Sequence, residues 1–246
     1  MQMDQAPSPN HDARRQRLDM LVLHYTGMET GEAALARMCD PEAKVSAHYM
    51  VWEDGRITQL VEESRRAWHA GVATWQGEED LNSRSIGIEI VNGGHDVPLA
   101  EGSLPPYPDA QIDAVIELCH AIVARHEIPQ ARIVAHSDIA PARKVDPGEH
   151  FPWARLSEAG IGLYPEADED AAGPSLLPGD TGEAVEALQS ALAAIGYGLT
   201  INGDFDEATG QAIAAFQRRF LPTRLGRHGD AVTCAHVRKV AAAFGG

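Results

Sequence analysis

The sequence predicts an α/β protein in which a mixed central β-sheet is flanked by helices and followed by a small C-terminal three-helix domain. Three observations carry that reading. Short apolar runs at Met20–Leu23, Ile86–Val91 and Arg132–Ala135 have strand length and are bounded by polar residues. A stretch opening at Asp109 repeats apolar residues at helical spacing. Beyond an acidic, aperiodic segment, three further helical patterns follow with no strand signal between them.

Residues 1–18 are polar, include Arg14, Arg15 and Arg17, and read as a disordered or loosely attached arm in which His11 is inert. Asp19–His24 is a short buried strand ending at the histidine. Thr30 suits the N-cap of a helix running to about Met38, which Pro41 closes. Tyr49–Glu53 and Arg56–Val61 flank Asp54-Gly55, a pair that suits a two-residue hairpin turn. In Ile86–Val91 the residues Ile86, Ile88 and Ile90 share one face. Gly87, Glu89 and Val91 share the other, with Gly87 leaving room beside the carboxylate. The helix from Asp109 places Ile112, Val115, Ile116, Cys119, Ile122 and Val123 on one stripe and stops before Pro129. The next strand, Arg132–Ala135, delivers His136.

Domain boundaries follow from composition. Residues 19–165 form the α/β domain, 166–175 an acidic linker, and 176–246 the helical domain. Within the latter, Thr181 caps a helix burying Val185, Leu188, Leu192 and Ile195. Asp206 starts a second with Ile213, Phe216 and Phe220, and Asp230 to Phe244 makes a third. Three short helices bury little surface on their own.

The chain has 246 residues, a formal net charge of -16 and a pI near 5.0, which disfavour phosphate backbones and anionic lipid surfaces as partners. No apolar run approaches the ~20 residues of a membrane span. Cys39, Cys119 and Cys234 form no close pair and read as small buried hydrophobes in helices. No apolar stretch of secretory length follows the N-terminal arginines, so the expected compartment is the cytoplasm; removal of an export signal would instead place the chain in the periplasm or at the outer membrane.

The chemistry concentrates at His136–Gly148, a turn-rich segment holding an imidazole, Lys144 and Asp146 directly after an apolar run. A catalytic zinc takes three protein ligands and keeps a fourth position for water. His24, His136 and Asp146 satisfy that count, all at or just beyond strand ends. Pro147 pushes Asp146 into an extended conformation, so Lys144 and Asp146 project to one side. The ammonium then faces the oxygen that turns negative when water attacks an amide carbonyl. Glu89, on a buried strand, is the candidate base that takes the water's proton and passes it to the leaving nitrogen. Burial raises its pKa and a nearby cation lowers it. Each residue alone has a plainer explanation, since a histidine after a strand is more often hydrogen-bonded than a ligand. The coincidence of all five makes a zinc hydrolase the leading reading.

Five blocks then resemble the zinc-dependent N-acetylmuramoyl-L-alanine amidases, the type-two amidase family related to peptidoglycan recognition proteins. They are Val22-Leu23-His24, Val45-Ser46-Ala47-His48-Tyr49, Arg66-Ala67-Trp68-His69-Ala70-Gly71, Asn82 through Asn92, and His136 through Gly148. The resemblance implies Zn2+ at His24, His136 and Asp146, with Glu89 and Lys144 as catalytic groups. It further implies that Tyr25, Arg66, Trp68, His69 and Asn82 line the groove for muramic acid and stem peptide. A guanidinium such as Arg66 suits stem-peptide carboxylates. Trp68 also fits core packing, and His48 is read as a structural hydrogen-bonding residue. The remaining histidines, including His95, His126, His150 and His236, are read as structural or exposed.

Ala47 and Asp146 stand where the phage-type branch has tyrosine and cysteine, so the match is to the glutamate-base branch. The short His24–His48 interval resembles the broad-specificity members with a C-terminal domain. Leu177 to Gln217 is similar to peptidoglycan-binding helical modules, and both glycan binding and buttressing of the groove stay open for it. The implied reaction is hydrolysis of the amide between N-acetylmuramic acid, normal or 1,6-anhydro, and L-alanine, with muropeptides as partners in cell-wall recycling or turnover. A non-catalytic peptidoglycan recognition protein and a zinc carboxypeptidase acting on the stem peptide are the competing readings.

Overall fold

The computed structural model describes residues 3–245. Its first half contains strands β1 (Asp4–Gln5), β2 (His11–Ala13) and β3 (Met20–Tyr25), helix α1 (Gly31–Cys39), then β4 (Tyr49–Val51), β5 (Ile57–Gln59) and β6 (Arg65–Ala67). A one-turn helix α2 (Leu81–Arg84) leads into β7 (Ser85–Ile90), followed by α3 (Asp109–His126), β8 (Ile133–Ala135), α4 (His136–Ile139) and α5 (Trp153–Glu158). Helices α6 (Glu183–Ile195), α7 (Glu207–Phe220) and α8 (Ala231–Phe244) complete the chain. No helix among the described residues is long and apolar enough to cross a membrane.

Six strands form one mixed sheet in the order β1-β5-β4-β7-β3-β8, parallel except between β4 and β5. Alternation sorts its two faces. Leu21, Leu23, Ile86, Ile88 and Ile90 pack against the Ile112–Ile122 stripe of α3. Met20, Val22 and Val134 point the other way, and His24 and Glu89 follow on that second face. The α/β architecture and its flanking helices therefore match the expectation from periodicity.

The segment read as a loose arm is instead built into the fold. β1 pairs with β5 and β2 with β6. Asn10 Nδ2 donates to the carbonyls of Met38, Asp40 and Val45, closing the C-terminal end of α1. Arg14 donates to the carbonyls of Glu63, Ser83 and Ser85, and His11 accepts from Arg65. Hydropathy cannot register such a segment, because what it supplies is hydrogen bonds to buried backbone rather than apolar area.

Two local expectations are corrected. Trp52 N donates to Arg56 O and Gly55 N to Trp52 O, so the hairpin loop has three residues, Glu53, Asp54 and Gly55, with Gly55 at φ 85° in the left-handed region. Thr181 does not cap α6; its N-cap is Gly182, while Thr181 bridges to Asp204. Thr30, Asp206 and Asp230 do accept from the third backbone N–H beyond them. All three cysteines are free.

The C-terminal helices cover the sheet's second face. Val185, Leu192, Ile213 and Phe216 belong to one apolar cluster with Met20, Val22, Leu81 and Val134. Trp75 sits at the junction, edge-on to Tyr197 at 5.3 Å. A fully buried aliphatic side chain contributes about 1.5–3 kcal/mol. Met20, Val22, Leu81 and Val134 are all 0% exposed, so the sheet needs this cover as much as the helices need the sheet.

Candidate metal centre and cleft

Three parallel strands deliver the chemistry to one edge of the sheet. β3 carries His24, β7 carries Glu89 directly opposite it in register, and β8 runs into α4, whose first residue is His136. Asp146 reaches the same point from the following turn, where its carbonyl accepts from Ser137 N. Lys144 and Asp146 line one cleft, Asp146 at the start of a turn through Pro147.

Hydrogen bonds determine which nitrogens face inward. Ser85 Oγ donates to the Leu81 carbonyl (2.6 Å) and therefore accepts from His69 Nε2 (3.1 Å). His69 presents a bare Nδ1, which accepts from His24 Nε2 at 3.0 Å. His136 Nε2 donates to the Ala70 carbonyl at 3.1 Å. Each ligand imidazole thus turns an unprotonated Nδ1 to the centre. These two nitrogens lie 2.9 Å apart, with Asp146 Oδ2 at 3.1 and 3.0 Å from them. Three buried acceptors with no proton among them repel one another unless a cation sits between them. A tetrahedral zinc separates its ligand atoms by ~3.3 Å, a few tenths more than here, so this donor set fits the ion.

Electrostatics agree. Burial, reinforced by His136, lowers His24 to about 4 and keeps it neutral. Burial pushes the Asp146 carboxyl up, and what lowers it is positive charge and hydrogen-bond donation from the direction of His136 and His24; with both Nδ1 atoms unprotonated, that role would fall to a cation between the three. Glu89 goes the other way: burial raises it well above the ordinary value, Asp146 adds to this and Lys144 opposes. Its Oε2 has no partner within the protein.

The cleft over the centre has a volume of about 340 Å³, at the small end of the ligand-pocket range. Tyr25 and Trp68 line it, together with Met38, Arg37 and Arg143. Trp68 Nε1 is buried without a protein acceptor. Among the described residues neither Lys144 nor Arg37 makes an ion pair.

Residues 14–149 match the N-acetylmuramoyl-L-alanine amidase family, and residues 181–223 match a putative peptidoglycan binding domain. The chain is 38% identical over 242 residues to N-acetylmuramoyl-L-alanine amidase AmiD of Escherichia coli (strain K12), covering 91% of this chain and 84% of that protein. The chain belongs to the N-acetylmuramoyl-L-alanine amidases. The structure of AmiD with anhydro-N-acetylmuramic acid-L-Ala-D-gamma-Glu-L-Lys superposes at TM-score 0.78 and 35% identity, covering 99% of this chain and 93% of AmiD. AmpDh3 from Pseudomonas aeruginosa in complex with anhydromuramic pentapeptide gives TM-score 0.74 at 33% identity, with 89% of each chain covered. The amidase also resembles 1,6-anhydro-N-acetylmuramyl-L-alanine amidase AmpD of Enterobacter cloacae, 36% identical over 61% of this chain and 86% of that one.

In the amidase, the Trp68-His69-Ala70-Gly71 block supports the candidate metal site as much as it walls the cleft. Trp68 lines the cleft. His69 holds His24, and the Ala70 carbonyl accepts from both His136 and Arg143. A Cβ on Gly71 would come within 3.0 Å of that Arg143 guanidinium. Asn82, expected in the groove, lies behind the block, where its Oδ1 accepts from the backbone N–H of His69 and Ala70 (2.9 and 2.8 Å). Arg66 is also outside the cleft, tied to Asp80 at 2.7 Å and Asp12 at 3.3 Å. The cations that do face the cleft are Lys144, Arg143 and Arg37. Arg37 escaped the sequence reading because its signal is only that of a solvated helix residue. His48 is structural as expected, its Nδ1 accepting from Gly87 N.

Proposed function

We propose that the amidase uses Zn2+ held by His24 Nδ1, His136 Nδ1 and Asp146 Oδ2 to hydrolyse the amide between N-acetylmuramic acid, in normal or 1,6-anhydro form, and the L-alanine of muropeptides. The observation that carries this is the convergence of three buried, proton-free donor atoms 2.9–3.1 Å apart. When bound, the ion supplies a Lewis acid for the carbonyl and lowers the pKa of water. The carboxylate of Glu89, which lines the cleft and leaves Oε2 without a protein partner, takes the proton from the attacking water and returns it to the leaving nitrogen. Lys144 stands where negative charge grows on the carbonyl oxygen. Tyr25, Trp68 and Met38 provide the apolar wall for the sugar and lactyl groups, and Arg37 faces the stem-peptide carboxylates. The two relatives solved with anhydromuropeptides support this substrate class, as part of cell-wall recycling or turnover.

The test is turnover of a muropeptide by purified protein before and after exhaustive chelation, with products weighed by mass spectrometry. The expected result is free sugar plus intact peptide, abolished by chelation and restored by Zn2+. Turnover that survives chelation overturns the zinc assignment, and release of a terminal amino acid would mark a carboxypeptidase instead.

A further inference from the structure

The one-turn helix α4 starts at the ligand His136, and its third residue, Asp138, is a fully buried carboxylate. Asp138 Oδ2 accepts from Ala135 N at 2.9 Å, which pins the strand end to the helix. Its remaining partners come from the C-terminal helical module. Arg219 of α7 donates to Oδ2 at 2.7 Å, and Tyr197, just after α6, donates to Oδ1 at 2.8 Å. Arg219 is 1% exposed. Its other Nη donates to the carbonyls of Ile133 and Leu163, while the guanidinium stacks 4.2 Å from the Trp153 ring.

The neighbouring arginine reaches the second ligand segment. Arg218 lies 3.5 Å from Glu149, three residues beyond Asp146, and Glu149 in turn pairs with His95, whose Nδ1 is 3.3 Å from the Tyr25 hydroxyl in the cleft. Consecutive residues of α7 thus reach the segments around both residues, Arg219 by a hydrogen bond next to His136 and Arg218 by a longer ion pair beyond Asp146.

We infer that Arg219 and Tyr197 are positioning residues for the metal centre, and that the helical module serves as the outer support of the zinc ligands through Asp138. The inference rests on the zinc reading above. Its physical basis is that ligand geometry depends on the groups behind the ligands, whose loss typically weakens metal binding ~10–100-fold. A buried carboxylate keeps one orientation only while its charge and lone pairs are matched. Arg219 gives Asp138 one N–H from Nη1 while its Nη2 holds the Ile133 and Leu163 carbonyls, a division that a lysine cannot reproduce. Coupling of this kind is reciprocal, so metal binding must also stabilise the module.

Two measurements test it. Zinc affinity by chelator competition on the full chain is expected to fall at least tenfold in Arg219→Lys and about threefold in Tyr197→Phe, with kcat reduced and KM unchanged. Amide hydrogen exchange on the wild-type chain is expected to slow around Tyr197 and along 215–220 when zinc is added, which needs no variant. Folded variants whose zinc affinity stays within twofold of wild type, even with a lowered Tm, reduce the contact to ordinary packing and overturn the inference. Exchange protection confined to residues outside the module on zinc loading overturns it as well. A wild-type chain that does not bind zinc removes the metal reading itself and this inference with it.

Discussion

His24 and Glu89 face each other across β3 and β7, paired in the parallel register, with neighbouring strands ~4.8 Å apart. A metal-ligand candidate and a half-buried carboxylate therefore leave the sheet on the same face, held by backbone pairing rather than by a mobile loop. Glu89→Gln preserves volume and removes the base. It is expected to lower kcat by about 10²–10⁴-fold while zinc content by elemental analysis stays unchanged. A loss under tenfold with zinc retained would rule out the base role.

Gly87 lies two residues earlier on the same face, where a Cβ would meet His69 Cγ at 2.4 Å. The space anticipated beside Glu89 is filled by the ring that orients His24. Gly87→Ala is expected to displace His69 and weaken zinc binding ~10–100-fold, the usual effect of losing a group behind a ligand. Chelator competition at constant pH reads this directly, and His69→Ala should match it in direction.

Arg66 and Arg37 should behave as opposites. Arg66 is committed to Asp80 and Asp12, so Arg66→Ala is expected to lower Tm and leave KM within twofold. Arg37 lines the cleft, so Arg37→Ala is expected to raise KM about 5–10-fold, close to ~1–1.4 kcal/mol of binding, with Tm unchanged. Steady-state kinetics and thermal melts on the same preparations separate the two.

Acid should weaken the fold in two stages. Burial lowers His236 to about 4, and both its ring nitrogens lack partners; burial with Arg14 nearby lowers His48 to about 3. Both are neutral when folded and take a proton when unfolded, so their stabilisation is complete above about 6.5 and declines as pH falls towards those values. Glu63 follows at lower pH. Burial pushes it up, but Arg125, His126 and Tyr49 outweigh burial and hold it at about 2, so its contribution is lost below its ordinary value near 4.5. Melting temperatures from pH 7 to 4 are expected to fall, and less steeply in His236→Leu. An identical slope in that variant would contradict the assignment.

Much of the molecule was legible from spacing. The β7 alternation of Ile86, Ile88 and Ile90 against Glu89 and the α3 stripe are reproduced because each depends on one element's own period. The three residues that converge were legible singly, His24 and His136 because each ends or follows an apolar run and Asp146 because it precedes Pro147. The roles of Arg66, Asn82 and His69 were not, since a groove residue and a residue behind the groove have the same sequence signature and differ only in what they touch.

The sequence by itself determined the central strands β3, β7 and β8, the long helix α3, the three C-terminal helices and the family, all properties written in local patterning and residue identity. Only tertiary structure decided that residues 4–14 complete the sheet edge and the α1 terminus, that His69 rather than solvent holds His24, and that the C-terminal helices share one apolar core with Met20 and Val22. The physical reason is that hydrogen bonds to buried backbone and contacts between distant elements depend on relative placement in space, which no window of neighbouring residues encodes.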